Sequence, residues 1–149
     1  MEANILPEDF KEFLKLLNAH RVEYLLIGGY AVGHYGYPRY TADMDLWIAM
    51  RRENAERIVA VLQKFGFDVP ENEPALFMRE SSIVRMGVPP YRIEICTQID
   101  GVEFDECFAR RCMDTIDGVP VSLISLDDLK TNKRAAGRLK DLADLENLP

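Results

Sequence analysis

Residues 26–48 read LIGGYAVGHYGYPRYTADMDLWI. Leu26 and Ile27 close a β-rich run over 22–27 that ends at Gly28-Gly29. Residues 30–35 are long enough for a short helix, with Gly36 to stop it. A second strand is predicted over 44–49, directly after Asp43. Side chains alternate faces along a strand, so one face carries Arg39, Thr41, Asp43 and Asp45. The other carries Tyr40, Ala42, Met44, Leu46 and Ile48 and reads as core. The polar face sets two carboxylates side by side. Like charges that close raise each other's pKa unless a cation lies between them. Mg²⁺ meets that need, because it takes carboxylate oxygens together with substrate phosphates. Paired metal sites clamp the attacking and leaving oxygens of phosphoryl transfer.

Gly28 and Gly29 lie between a strand and a helix. Glycine lets backbone approach a phosphate closely, and a helix start offers N–H groups and partial positive charge. Taken singly, Gly-Gly is most simply a tight turn, and Asp-x-Asp a solvated strand face. Their order and spacing together carry the reading.

Outward from this stretch, helical and strand patterns alternate, which predicts an α/β or α+β domain with a mixed sheet flanked by helices. Pro7 opens a helix with Phe10, Phe13, Leu14 and Leu17 at helical spacing. Residues 54–65 form an amphipathic helix with Ile58, Leu62 and Phe65 inward, stopped by Gly66. Residues 69–74 read as a loop. Strands over 83–86 and 91–96 are joined through Gly87-Val88-Pro89-Pro90, and a short helix follows over 104–111. Asp117-Gly118 signals a hairpin between 113–116 and 119–123. Ser125, with Asp128 three residues on, starts a helical segment over 126–148 that Gly137 interrupts.

The 149 residues suit a single domain over 1–149, and 48% hydrophobic content supplies a core. The net charge of −7 argues against broad nucleic-acid binding, which needs many phosphate contacts from Lys and Arg. No apolar run approaches the roughly 20 residues of a membrane span. No signal-peptide pattern appears in residues 1–20, so a cytoplasmic location is expected. Cys96, Cys107 and Cys112 form no CxxC pair, and only His20 and His34 could assist them. The expectation is reduced thiols packed as small hydrophobes, without a zinc site.

The Gly-Gly and Asp-x-Asp combination resembles the signature of the DNA polymerase β-like nucleotidyltransferase superfamily. The form Arg39-x-Thr41-x-Asp43-x-Asp45 is closest to the branch with abortive-infection toxins of the AbiEii type and many small uncharacterised nucleotidyltransferases. That resemblance implies the polymerase β-like core and a third carboxylate on a later strand. Glu94, in Tyr91-Arg92-Ile93-Glu94-Ile95-Cys96, is the best match, where many members carry Asp. The stretch Ile99-Asp100-Gly101-Val102 and Phe104 also fit, with Asp100 a simple turn residue. The C-terminal LKTNKRAAGRLKDLADLENL resembles the family's closing helices. Lys133 is the first choice for a phosphate contact and Lys130 the second, against a solvated helix with i,i+4 charge pairs. Arg138, Lys140 and Asp141 suit a structural charge network.

The resemblance thus implies Asp43, Asp45 and Glu94 as catalytic and metal-holding residues, with Mg²⁺ or Mn²⁺. It implies Gly28, Gly29, Arg39, Thr41 and Lys133 on the nucleotide. Arg39 either meets phosphate or pairs with the aspartates. Trp47 either stacks on a base or packs beneath the C-terminal helix. His34 is more simply structural. Tyr35, Tyr37 and Tyr40 either line a pocket or cover an edge. The expected activity is transfer of a nucleoside monophosphate from a nucleoside triphosphate to a hydroxyl. The acceptor is open between an RNA 3′ end, a protein and a small molecule such as an antibiotic. The alternative is a non-catalytic domain of this fold, a sensor or toxin–antitoxin partner. A homodimer that completes the pocket, or a protein partner, is compatible with either.

Overall fold

The computed structural model describes residues 6–38, 41–67, 73–87 and 91–149. Arg39, Tyr40, most of the loop expected over 69–74 and residues 88–90 of the expected connection lie outside them.

Six strands build one mixed sheet: β1 Tyr24–Ile27, β2 Asp43–Ile48, β3 Ile83–Met86, β4 Arg92–Cys96, β5 Cys112–Ile116 and β6 Val119–Leu123. Their order is β3-β4-β2-β1-β6-β5. β1 runs antiparallel to β2 and parallel to β6, while β2 runs parallel to β4. The edge hairpins β3/β4 and β5/β6 are antiparallel. The second closes through Asp117 and Gly118, both at positive φ (49° and 82°), as the Asp-Gly signal predicts.

Six helices flank the sheet: α1 Glu8–Ala19, α2 Gly28–His34, α3 Arg52–Phe65, α4 Phe104–Ala109, α5 Leu126–Ala136 and α6 Leu139–Asn147. A 3₁₀ turn occupies Glu73–Met78. α1 buries Phe10, Phe13, Leu14 and Leu17, the four residues whose spacing marks it in the sequence. Phe13 meets Phe65 of α3 edge-on, and Phe10 meets Tyr30 of α2. Buried aromatic pairs of this kind add about 0.5–1.5 kcal/mol beyond the area they hide. Met44, Leu46 and Ile48 are fully buried in β2, as alternation requires. Asn54 ties three elements together. Its Nδ2 donates to Ala49 O (2.9 Å) and Glu23 O (3.0 Å), and its Oδ1 accepts from Glu23 N–H (2.7 Å).

Two boundaries differ from expectation. α2 begins at Gly28, so Gly28-Gly29 lies inside the first turn rather than ahead of it. α4 ends at Ala109, and Arg110 beyond it pairs with Asp128 through two hydrogen bonds (2.9 and 3.2 Å). Ser125 caps α5 by accepting from Asp128 N–H (3.1 Å). No described helix is long and apolar enough to cross a membrane.

Candidate active site

The strand registers assemble the site. Ile27, the last residue of β1, lies opposite Asp45 of β2. On the other side of β2, Asp43 pairs in register with Arg92, and Asp45 with Glu94. Glu94 in turn lies opposite Arg85 of β3. One row across three strands therefore reads Asp45, Glu94, Arg85. All three residues, with Asp43, Gly28 and Gly29, line a cleft of about 660 Å³.

Where β1 ends, the chain must turn into α2 directly over Asp45. Gly28 makes that turn at φ +69°, and a Cβ there would stand 2.2 Å from Asp45 Oδ2. Only glycine fits both the backbone conformation and the space. A Cβ at Gly29 would stand 2.7 Å from Thr41, whose hydroxyl donates to Asp43 O (3.1 Å). No side chain caps the start of α2. The first turn and the carboxylates thus face one space.

Burial pushes the Asp45 carboxyl up to about 7, and the charges of Glu94 and then Asp43 push the same way. Lys140 and Lys133 pull it back down. A buried carboxylate between two others needs a cation to ionise readily, and an all-oxygen donor set suits a hard divalent ion. In the present arrangement arginines provide part of that charge. Arg85 Nε donates to Glu94 (2.9 Å), and Arg92 Nε approaches Asp43 at 3.8 Å without bonding it. The three carboxylates do not bring one oxygen each within 4.8 Å of one another. Cys96, beside them in the cleft, is pushed up to about 12 by burial and by the charges of Asp45 and Glu94, so it stays a thiol.

The cations come from the C-terminal helices. Lys133 lines the cleft but is only 5% exposed. Its ammonium is held by Asp141 and Asp144, both at 3.1 Å. Burial raises the Asp141 pKa, but Arg138 and Lys133 outweigh it and hold the carboxyl below its usual range. Lys133 thus sits at the cleft wall as part of a buried ion network. Arg138 joins that network through Asp141 (2.7 Å) and also lines the cleft. Lys140, which sequence reading places in a structural network, is exposed on the cleft wall and acts on Asp45. Its helical position gave no sign of this. The turn at Gly137 between α5 and α6 decides where it points.

Other expected residues lie elsewhere. Lys130 does not line the cleft, and its ammonium contacts the Pro149 carbonyl. Trp47 is buried, donates from Nε1 to Thr97 O (3.3 Å) and meets Phe104 of α4 edge-on. It therefore packs under α4 and not under the C-terminal helices. His34 pairs with Asp114 of β5 (3.1 Å), away from the cleft. The Tyr35 hydroxyl donates to Ile124 O (2.7 Å), and Tyr37 packs on the core. Asp100 lines the cleft as well as forming the expected turn, and its carbonyl accepts from Asn132 of α5 (2.9 Å).

No family model matches the chain, and no curated protein matches it. Two solved structures match its fold. One is TM1012 of Thermotoga maritima, assigned as a nucleotidyltransferase. It has 15% identity and a TM-score of 0.64 over 96% of this chain and 94% of that one. The other is the lincosamide antibiotic adenylyltransferase LnuA with lincomycin bound. It has 15% identity and a TM-score of 0.63 over 97% of this chain and 96% of that one. The mixed six-stranded sheet with its flanking helices is therefore the nucleotidyltransferase fold that the Gly-Gly and Asp-x-Asp pattern predicts.

Proposed function

We propose that this chain transfers a nucleoside monophosphate from a nucleoside triphosphate to a hydroxyl acceptor. The observation that carries the reading is the packing of Gly28 onto Asp45, with Glu94 beside it and both facing one cleft. The acceptor oxygen would bond to the α phosphorus as the bond to the bridging oxygen breaks, and pyrophosphate leaves. Asp43, Asp45 and Glu94 would hold Mg²⁺ or Mn²⁺, which neutralises the triphosphate and the charge that builds on pyrophosphate. Glu94, at the outer end of the carboxylate pair, would take the acceptor's proton. Backbone N–H groups at Gly28 and Gly29 would bind phosphate oxygens. Lys140 is the exposed cation for the leaving group; Lys133 supplies charge from within its ion network, and Arg39 and Thr41 flank the strand that carries the aspartates. Positioning and electrostatics of this kind supply most of the catalysis in phosphoryl transfer. The Arg39-x-Thr41-x-Asp43-x-Asp45 pattern favours the AbiEii-like branch within this fold.

A second reading, a non-catalytic domain such as a toxin–antitoxin partner, draws on the Arg85–Glu94 pair. There the third carboxylate is already neutralised by a residue of the chain itself. Radiolabelled nucleotide separates the two. Incubated with fractionated cell extract, label at the α phosphorus should pass to an acceptor while label at the γ phosphorus leaves as pyrophosphate. Transfer of the γ label, or no Asp45-dependent transfer of either, would remove the first reading.

A further inference from the structure

We propose that His34, Cys112 and Asp114 form a binding site for a zinc-class divalent metal ion, separate from the carboxylate cleft. Cys112 and Asp114 are two apart on β5, so they share one face of this edge strand. His34 ends α2 and reaches that face, with its Nε2 3.1 Å from Asp114 Oδ2. One ligand atom from each of the three lies within 4.8 Å of the others, the only such group among the described residues. Tetrahedral zinc spaces such atoms about 3.3–3.6 Å apart, given its bond lengths to N, S and O. Small side-chain rotations therefore suffice to close the site.

The donor set selects the ion. Imidazole, thiolate and carboxylate together suit zinc, whereas Mg²⁺ takes oxygen ligands only. Three protein ligands leave a fourth position for water or an exogenous group. The place is reachable from solvent, since the His34 side chain is 19% exposed and that of Asp114 51%. It is also supported from behind. The Tyr35 hydroxyl, fixed on Ile124 O at 2.7 Å, lies against Cys112. None of the three residues lines the cleft. A bound ion would clamp the end of α2 to the sheet edge, and with it the helix that begins at Gly28-Gly29.

Cobalt titration tests this on the full chain, with Mg²⁺ in excess. One equivalent of Co²⁺ should give a sulfur-to-cobalt charge-transfer band, and Zn²⁺ should displace it. Cys112→Ser should abolish the band. His34→Gln and Asp114→Asn should each weaken the ion's binding more than about tenfold, the lower end of what losing even an outer partner of a metal ligand costs. Cys96→Ser and Asp45→Asn should leave the band unchanged, which separates this site from the cleft. No band in the folded wild type, or a band that survives Cys112→Ser or vanishes with Cys96→Ser, would overturn the proposal. Circular dichroism of each variant confirms its fold, and His34→Gln, on a helix end, gives a second reading if the strand variant unfolds.

Discussion

Gly28 and Asp45 constrain each other: the glycine's missing side chain is the space that the carboxylate occupies. Gly28→Ala forces a Cβ into the Asp45 carboxylate at a positive φ, a conformation that costs an L-residue about 1–2 kcal/mol by itself. The expected outcome is a folded protein, by circular dichroism, that has lost nucleotide binding. Asp45 has a second signature. Its carboxyl rises from an ordinary 3.8 to about 7 on folding. Between those pH values the unfolded chain has released this proton while the folded chain keeps it, so stability falls as pH rises through the window. Asp45→Asn removes that cost. Melting in EDTA should find the variant more stable than wild type by about 2–4 kcal/mol above pH 7, at 1.36 kcal/mol per pKa unit. The difference should vanish near pH 4. Arg85, more than half exposed, neutralises Glu94 in a pair worth at most about 1 kcal/mol. Arg85→Met should therefore raise Mg²⁺ affinity by up to about fivefold in a calorimetric titration.

At the level of elements, α5 and α6 are locked by Lys133 between Asp141 and Asp144, all nearly inaccessible. Removing one member of such a network strands the opposite charge, at about 3–5 kcal/mol. Lys133→Met should lower the denaturant midpoint accordingly. Lys140→Ala, on the exposed cleft wall, should leave the midpoint alone and weaken triphosphate binding. This contrast was not legible in the sequence, where both are lysines on one amphipathic segment. What separates them is the angle at Gly137, a tertiary fact. The helices and strands themselves were legible because their signals are local. α1 follows from four apolar residues at helical spacing, and the β5/β6 hairpin from Asp-Gly. Trp47 was legible only by face; α4, which covers it, is a distant segment. The contact of His34 with β5 had no sequence signal, because it joins segments far apart in the chain.

Across the whole molecule, the sheet order turns a linear motif into a site. Alternation puts Asp43 and Asp45 on one face, but only the parallel pairing of β2 with β4 brings Glu94 beside Asp45. The sequence motif could name Glu94 by resemblance and could not supply that register. A chain of net charge −7 repels a triphosphate at long range. Binding must therefore come from local charge: a metal ion on the carboxylates and the cations of α5 and α6. Titration calorimetry of the four ribonucleoside triphosphates, with Mg²⁺, into wild type and Asp45→Asn tests that claim directly. The account predicts metal-dependent binding of at least one triphosphate to wild type, abolished in Asp45→Asn. Binding that survives the substitution, or none to a folded wild type, would contradict it.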